Sequence, residues 1–295
     1  MTRRALVTGK HGFTGQYLTA ELVEAGYEVI GIGSAPSASD KLYYQVDIAD
    51  LDGLKRVVGR LRPNVVVHLA AKAFVAHNDV NSFYLVNLIG TRNLLESLAA
   101  LDSPPECVLL ASSANVYGNT SGGMLSEAVP PKPANDYAVS KLAMEQMARL
   151  WLTKLPLVIT RPFNYTGVGQ STNFVIAKIV DHFRRRAETI ELGNLDVWRD
   201  FCDVRAVAQA YRRLIDVRPV GETVNVCSGA THSLRSIINL AQEITRHNIE
   251  VKINPAFVRA NEVHSLCGDP SLLRRLIGEW QTPPLEDTLR WMLNS

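Results

Sequence analysis

At 295 residues, 46% of them hydrophobic and 20% charged, the chain is long enough for a large α/β core with a smaller second lobe and too apolar to be disordered. A formal net charge of +2, with no Lys/Arg-rich block beyond Arg184-Arg185-Arg186, argues against nucleic acid as a partner; that triplet reads as a solvated helix face. No apolar run approaches the roughly 18 residues that span a bilayer, and Cys107, Cys202, Cys227 and Cys267 are scattered without ligand spacing, so neither a membrane nor a structural metal is expected, and a reducing compartment is.

The sequence begins directly on a strand-like segment at 5–8 with no secretory leader ahead of it, and a cytoplasmic location is expected. Further short β-branched runs follow at 27–32, 65–69, 106–111 and 157–160. They alternate with amphipathic helical patterns at 14–25, 51–61, 82–100 and 137–151. Continuous apolar strands separated by helices make βαβ units, and right-handed crossovers wind these into a parallel sheet covered on both faces. The fold class expected is α/β: a Rossmann-type doubly wound sheet over 1–162, then a smaller α/β lobe over 163–295. In that second part a strand-like piece at 223–226 mixes with helices near 175–186, 204–216 and 234–245, and some segments are expected to return to the large sheet.

The first strand runs into Gly9-Lys10-His11-Gly12-Phe13-Thr14-Gly15, a G-x-x-G-x-x-G turn that opens the first helix. Glycine permits the tight turn and lets backbone approach a pyrophosphate, and the helix N-terminus offers N–H groups to that anion. In this strand–turn–helix context the turn predicts a dinucleotide site. The second strand ends Gly31-Ile32-Gly33-Ser34 with no carboxylate for a ribose 2′-OH and no Arg for a 2′-phosphate. Lys10 and His11 in the turn tip the reading toward NADP(H), with NAD(H) also accepted. Asp47-Ile48 offers either a carboxylate to the adenine or a plain helix cap.

Tyr137 and Lys141, four residues apart on a predicted helix, share one face. An ammonium beside a phenol is expected to lower the phenol's pKa and fit it for proton transfer. Leu110-Ala111-Ser112-Ser113-Ala114-Asn115-Val116-Tyr117-Gly118 lies at the carboxyl end of a predicted strand, where doubly wound folds bind ligand.

Taken together, the glycine turn, Ser-Ser-x-x-Val-Tyr-Gly and Tyr-x-x-x-Lys resemble the extended short-chain dehydrogenase/reductase family over nearly the whole chain. His68-Leu69-Ala70-Ala71, the segment from Asn87 to Asn93, Arg161-Pro162-Phe163-Asn164 and Arg199-Asp200-Phe201 add to the match. The resemblance implies Ser113, rather than Ser112, as the catalytic hydroxyl, Tyr137 as acid/base and Lys141 as its partner. It implies cofactor contacts at Gly9, His11, Gly12, Phe13, Thr14, Gly15, Ser34, Asp47, Ile48, Leu69, Ala70, Ala71, Asn87, Tyr137, Lys141 and Pro162.

The C-terminal half resembles the GDP-mannose dehydratase and GDP-4-keto-6-deoxymannose reductase branch. That likeness implies Arg199 and Arg259 as clamps on a substrate diphosphate, Asn164, Lys178 and Ser113 as further substrate contacts, and Glu262 against the nucleoside. Related dehydratases carry a carboxylate just after the catalytic hydroxyl, where this chain has Ala114 and Asn115, which do not ionise. Related 3,5-epimerase-reductases carry a Cys and a His where this chain has Ala114 and Phe174. What remains is reduction of a 4-keto group, with GDP-4-dehydro-6-deoxy-D-mannose going to a GDP-rhamnose type product. A 4-epimerase holding NAD and a non-catalytic dinucleotide sensor stay open as rivals. Tyr165 stands where such reductases carry His. A homodimer through helices 82–100 and 137–151 is also implied, with Leu94, Leu98, Leu142 and Met147 readable as either core or interface.

Overall fold

The computed structural model describes residues 2–73, 79–120, 123–258 and 265–295. The first half runs β1 (Arg3–Thr8), α1 (Phe13–Glu24), β2 (Tyr27–Gly33), β3 (Tyr43–Gln45), α2 (Leu51–Leu61) and β4 (Val65–His68). A helical stretch then begins as α3 (Asn81–Phe83), widens into a π-helical segment (Tyr84–Gly90) and tightens again as α4 (Thr91–Ala99). After it come β5 (Cys107–Ala111), a 3₁₀ turn (Ala114–Tyr117), β6 (Met124–Leu125), α5 (Asp136–Arg149) and β7 (Leu157–Pro162). The second half adds β8 (Asn164–Thr166), α6 (Val175–Arg184), β9 (Thr189–Leu192), β10 (Trp198–Asp203), α7 (Val204–Val217), β11 (Thr223–Val226) and β12 (Thr231–Ser233). It closes with α8 (Leu234–Thr245), β13 (Glu250–Ile253), β14 (Ser265–Gly268), α9 (Ser271–Ile277) and α10 (Leu285–Leu293).

Seven strands form one parallel sheet in the order β11-β7-β5-β4-β1-β2-β3. The strand runs are apolar at successive positions because both faces are covered. Val65 and Val67 pack with α1 and α7, while Val66 between them packs with α2, α4 and α5, and all three are fully buried. Each such side chain contributes about 1.5–3 kcal/mol on leaving water. The order reverses at β1: the chain winds outward through β2 and β3 on one side and through β4, β5, β7 and β11 on the other. The crevice beyond the carboxyl ends of β1 and β4 is therefore where such a sheet binds ligand.

β11 pairs with β7 in the large sheet, and α7 and α9 pack their buried faces against the same core as α1, so three segments past residue 163 lie on the large sheet. The remainder builds a smaller layer. β10 pairs with β8 and β14 in parallel and with β12 antiparallel, while α6, α8 and α10 enclose a separate apolar cluster. Leu94 and Leu98 are fully buried in the large core, Met147 packs on that core, and Leu142 packs beside Tyr117 and Phe163. Core is thus the role of Leu94 and Leu98, whereas Leu142 and Met147 are only partly buried. Among the described residues no helix is long and apolar enough to cross a membrane.

The uninterrupted helix expected over 82–100 is instead widened in its first half. Asn87 there is turned fully inward, where its amide bonds both backbone groups of Lys72 and the hydroxyl of Ser140. At Gly90 the backbone runs against Ile48, and a Cβ would stand 2.5 Å from the Ile48 methyl. A π-turn of this kind re-aims side chains and is common beside functional sites.

Candidate active site

The turn after β1 is shaped by its glycines. Gly9 has φ +72°, and a Cβ on Gly15 would stand 2.2 Å from the Gly9 carbonyl oxygen, so the helix start lies directly on the turn. Gly12 is the N-cap of α1 and has no capping side chain, and no acidic residue occupies the first turn. The positive end of α1 is thus unopposed and suits a pyrophosphate. The opposite wall is pinned by Thr8, whose hydroxyl accepts from the N–H groups of Leu69 (3.1 Å) and Ala70 (2.9 Å) and bonds His68 Nδ1 at 2.7 Å. Thr91 spends its proton on the Asn87 carbonyl and therefore accepts from His68 Nε2 at 2.8 Å. That assigns His68 as the Nε2–H tautomer with Thr8 donating to Nδ1. Burial first, then the Lys141 charge, push the His68 pKa down to about 3, so the ring stays neutral.

Facing the turn, β5 ends at Ala111 and the chain passes through Ser112 and Ser113. Helix α5 starts at Asn135, whose side chain caps the Ala138 N–H at 2.9 Å, and this sets Tyr137 and Lys141 one turn apart toward the strand end. Lys141 is only 4% exposed, and its ammonium donates to the Ala111 carbonyl at 2.8 Å. Burial lowers its pKa to about 8, against the pull of Glu145. Tyr137 is half-buried and faces the cleft. Burial raises its pKa to about 12, and a hydrogen bond with Ser113 offsets part of the rise. The lowering of the phenol's pKa by Lys141, expected from the sequence, is thus not what the geometry produces: desolvation wins, and the ammonium is committed to a backbone carbonyl.

Ser112 turns away from this pair. Its hydroxyl donates to Glu145 at 2.5 Å, and Glu145 in turn takes Arg161 Nε (3.0 Å) and Nη2 (2.7 Å). Arg161 Nη1 reaches the Tyr117 hydroxyl at 3.1 Å, which donates to Asn225 at 2.8 Å. Glu145 is fully buried and Arg161 nearly so. Glu145 is not among the residues expected from the sequence, although its position four residues past Lys141 puts it on the same helix face.

Turn and strand ends enclose a cleft of about 390 Å³. Gly9, Gly12, Phe13, Thr14 and Gly15 line one side, with Leu69, Ala71 and Pro162. Ser113, Tyr137, Lys141, Asn164 and Tyr165 line the other, and Phe174-Val175-Ile176 close the far end. Among the described residues no Asp, Glu or His lines it. Tyr165 ties the two halves together, its hydroxyl 2.8 Å from the Thr14 hydroxyl and its ring stacked on Phe13.

Other expected residues lie outside this lining. Ala70 and Asn87 support it from behind through the bonds above. Ser34 gives its carbonyl to Gln45, the Asp47 carboxylate accepts the Ala49 N–H, and Ile48 is buried against Gly90. Asp47 does not cap α2; Asp50 does, through the Gly53 N–H. His11 is bonded to Asp40. Lys178 donates to the Glu191 carbonyl and lies over the Phe257 ring, and Arg199 bonds the Trp198 carbonyl. Arg259 and Glu262 lie outside the described residues.

A doubly wound sheet with a glycine turn at its switch point, and with Ser, Tyr and Lys converging on the facing strand end, defines a dinucleotide-dependent oxidoreductase. A sequence profile of the GDP-mannose 4,6 dehydratase family matches residues 6–292, and the chain belongs to that family, within the extended short-chain dehydrogenases/reductases. It is 38% identical to GDP-6-deoxy-D-talose 4-dehydrogenase from Aggregatibacter actinomycetemcomitans, covering 93% of this chain and 91% of that one. From Pseudomonas aeruginosa, GDP-6-deoxy-D-mannose reductase is 34% identical over 100% of this chain and 97% of its own. The solved structure of RMD from the same organism, complexed with NADPH, superposes with a TM-score of 0.86 at 33% identity, covering 100% and 97% of the two chains. A Burkholderia cenocepacia structure described as a candidate epimerase has a TM-score of 0.94 at 50% identity, covering 99% and 97%.

Proposed function

We propose that this chain reduces the 4-keto group of a GDP-4-dehydro-6-deoxyhexose, of the GDP-4-dehydro-6-deoxy-D-mannose type, with NADP(H) as preferred cofactor and NAD(H) accepted. The observation that carries the proposal is a cleft holding Ser113, Tyr137 and Lys141 but, among the described residues, no carboxylate. A bound reduced dinucleotide supplies hydride. The residues that would hold it are the N–H groups at the start of α1, the walls at Leu69, Ala71 and Pro162, and Lys141.

Tyr137 is the proton donor. A phenol is protonated at neutral pH and can deliver a proton to a developing alkoxide, and its hydrogen bond with Ser113 offsets part of the rise in pKa that burial causes. Ser113 steadies the ketone oxygen beside it, and Lys141 contributes positive charge near the reacting oxygen. Dehydration at C5 and C6 would require a further acid/base carboxylate, and the cleft wall beyond Ser113 offers Asn115 in that place. The names of the two curated relatives, a 4-dehydrogenase and a reductase of GDP-6-deoxyhexoses, support chemistry at a sugar carbonyl, and the NADPH complex of RMD supports the cofactor. Leu85, Ile89 and Val139, exposed on the π-helical segment and α5, support a homodimer through these helices.

The Burkholderia structure, described as a candidate epimerase, favours a second reading, epimerisation, for which a 4-epimerase that keeps its NAD is the form weighed from the sequence. Purified protein incubated with GDP-, UDP- and dTDP-4-keto-6-deoxysugars and either reduced nicotinamide separates the two. Reduction consumes one dinucleotide per sugar and releases it oxidised, whereas epimerisation interconverts sugars with no net consumption. Tyr137→Phe is expected to cut turnover about 10²–10⁴-fold while dinucleotide binding persists. Undiminished turnover in that variant would refute the proton-donor role.

A further inference from the structure

We infer that Tyr165 is a positioning residue: it sets the spacing between the sugar-side wall of the cleft and the dinucleotide turn, so that neither ligand alone has to draw the two together. The inference rests on a cleft that takes a dinucleotide and a nucleotide sugar at once, as proposed above. Tyr165 stands where the resembled reductases carry His, so its contacts are not inherited from that pattern.

The cleft lies between two apolar clusters, one under the large sheet with Leu18 and Leu22 of α1, the other among α6, α8 and α10. Tyr165 belongs to β8, but its ring packs on the first cluster. Its hydroxyl oxygen is 2.8 Å from Thr14 Oγ1, and its ring stacks on Phe13 with centroids 6.1 Å apart and planes 7° from parallel. One helical turn on, Tyr17 donates its hydroxyl to the Val168 carbonyl at 2.7 Å and meets the Trp291 ring edge-on at 6.0 Å. Val168 and Trp291 both pack on the second cluster. The first turn of α1 is thus fastened across the seam by two hydroxyl bonds and two ring contacts.

On its own side Tyr165 is held firmly. Its backbone pairs with Cys202 of β10, and its carbonyl accepts from Gln170 Nε2 at 3.0 Å. Gln170 in turn accepts the Thr166 hydroxyl at 2.7 Å. Phe13, Thr14, Tyr165 and Gln170 all line the cleft, so the fastening and the ligand surface share residues. Lobes of one chain move relative to each other by default unless their interface is large and apolar. A ligand that needs both walls then binds more weakly, in proportion to the fraction of molecules in which the walls already stand at the right spacing. The Thr14–Tyr165 bond raises that fraction. A first ligand raises it too, so without the bond the two ligands assist each other, and reciprocally.

Calorimetric titration of the full chain with NADPH and with GDP-mannose, which has no 4-keto group to reduce, tests this without turnover. Each ligand is titrated alone and with the other at saturation. Tyr165→Phe keeps the ring on Phe13 and removes the hydroxyl, and Thr14→Val removes the other partner of the same bond. Each variant is expected to bind either ligand alone up to about fivefold more weakly, the worth of one hydroxyl pair. That loss is expected to shrink to within about twofold once the other ligand is bound. The double variant is expected to lose no more than either single one, because all three remove the same bond. A loss of equal size with and without the second ligand, losses that add in the double variant, or affinities within about twofold of the parent throughout would overturn the role of Tyr165 and leave the shared cleft standing. A parent chain that binds only one of the two ligands, or neither, overturns the shared cleft and the inference together.

Discussion

Replacing Lys141 by Met is expected to make the protein inactive and more stable at neutral pH. Lys141 is an ammonium with 4% exposure and one protein acceptor, the Ala111 carbonyl. Its pKa falls from 10.5 to about 8 on folding, chiefly through burial. Between those two values the unfolded chain binds more protons than the folded one, so stability rises with pH across that window. Below it the native state carries the whole penalty, about 3 kcal/mol at ~1.4 kcal/mol per pH unit. Methionine keeps an unbranched stem of similar length and removes the charge. It also leaves the Ala111 carbonyl unpaired, which costs about 1 kcal/mol. The net expectation is about 2 kcal/mol of added stability at pH 7, fading to nothing or a slight loss by about pH 10.5. Urea unfolding of parent and variant at pH 7 and pH 10 measures the difference at both ends. A variant less stable than the parent at pH 7, or a gain that does not shrink at pH 10, would refute the claim that this lysine is held charged against burial.

Two further substitutions probe the turn and the buried network. Gly15→Ala puts a methyl 2.2 Å from the Gly9 carbonyl and 2.5 Å from that of Lys10, both backbone atoms that move only if the turn deforms. Dinucleotide binding is expected to fall below detection in a titration while circular dichroism still reports a folded sheet. Glu145→Ala strands the Arg161 guanidinium and the Ser112 hydroxyl in the interior, and the expected loss is about 3–5 kcal/mol in chemical unfolding. Adding Arg161→Met to that variant is expected to recover most of the loss, since removing both charges leaves none buried and unpaired.

The parts of this structure that were legible in the sequence are those set by local pattern. Runs such as 65–68 are apolar at every position because both faces of a parallel strand are covered, so strand type and sheet class followed together. The glycine turn was legible because Gly9 and Gly15 answer to backbone contacts within a few residues. Tyr137 and Lys141 were legible because four residues make one helical turn. What escaped depends on segments far apart in sequence. Nothing in the neighbourhood of Asp40 signals that its carboxylate closes on Lys10, 30 positions earlier. The π-helical widening at Asn87 depends on Lys72 and Ser140, and the phenol's pKa depends on how deeply the cleft desolvates Tyr137. That last shift runs opposite to the expectation from spacing, because spacing places an ammonium near a phenol but does not say which acceptor the ammonium chooses.

The family profile carries the name of a dehydratase, yet the fold held in common does not fix the reaction. The proton inventory of the cleft narrows it. Removing a proton from C5 and water from C6 requires a base and an acid besides the group that serves the C4 oxygen. Among the described residues this cleft presents the Tyr137 phenol, the Ser113 hydroxyl and the Lys141 ammonium at the strand end, with Tyr165 and Thr14 bonded to each other and Ser112 to Glu145, and the position after Ala114, where a carboxylate would be needed, is a neutral amide, Asn115. Such a set can pass a single proton to or from a single oxygen, which is all that reduction or oxidation at C4 demands. Placing Asp or Glu at 115 would restore a carboxylate to the wall without restoring the second partner. By this reasoning a one-residue change toward the dehydratase pattern is expected to disturb the proposed chemistry at C4 without creating dehydration.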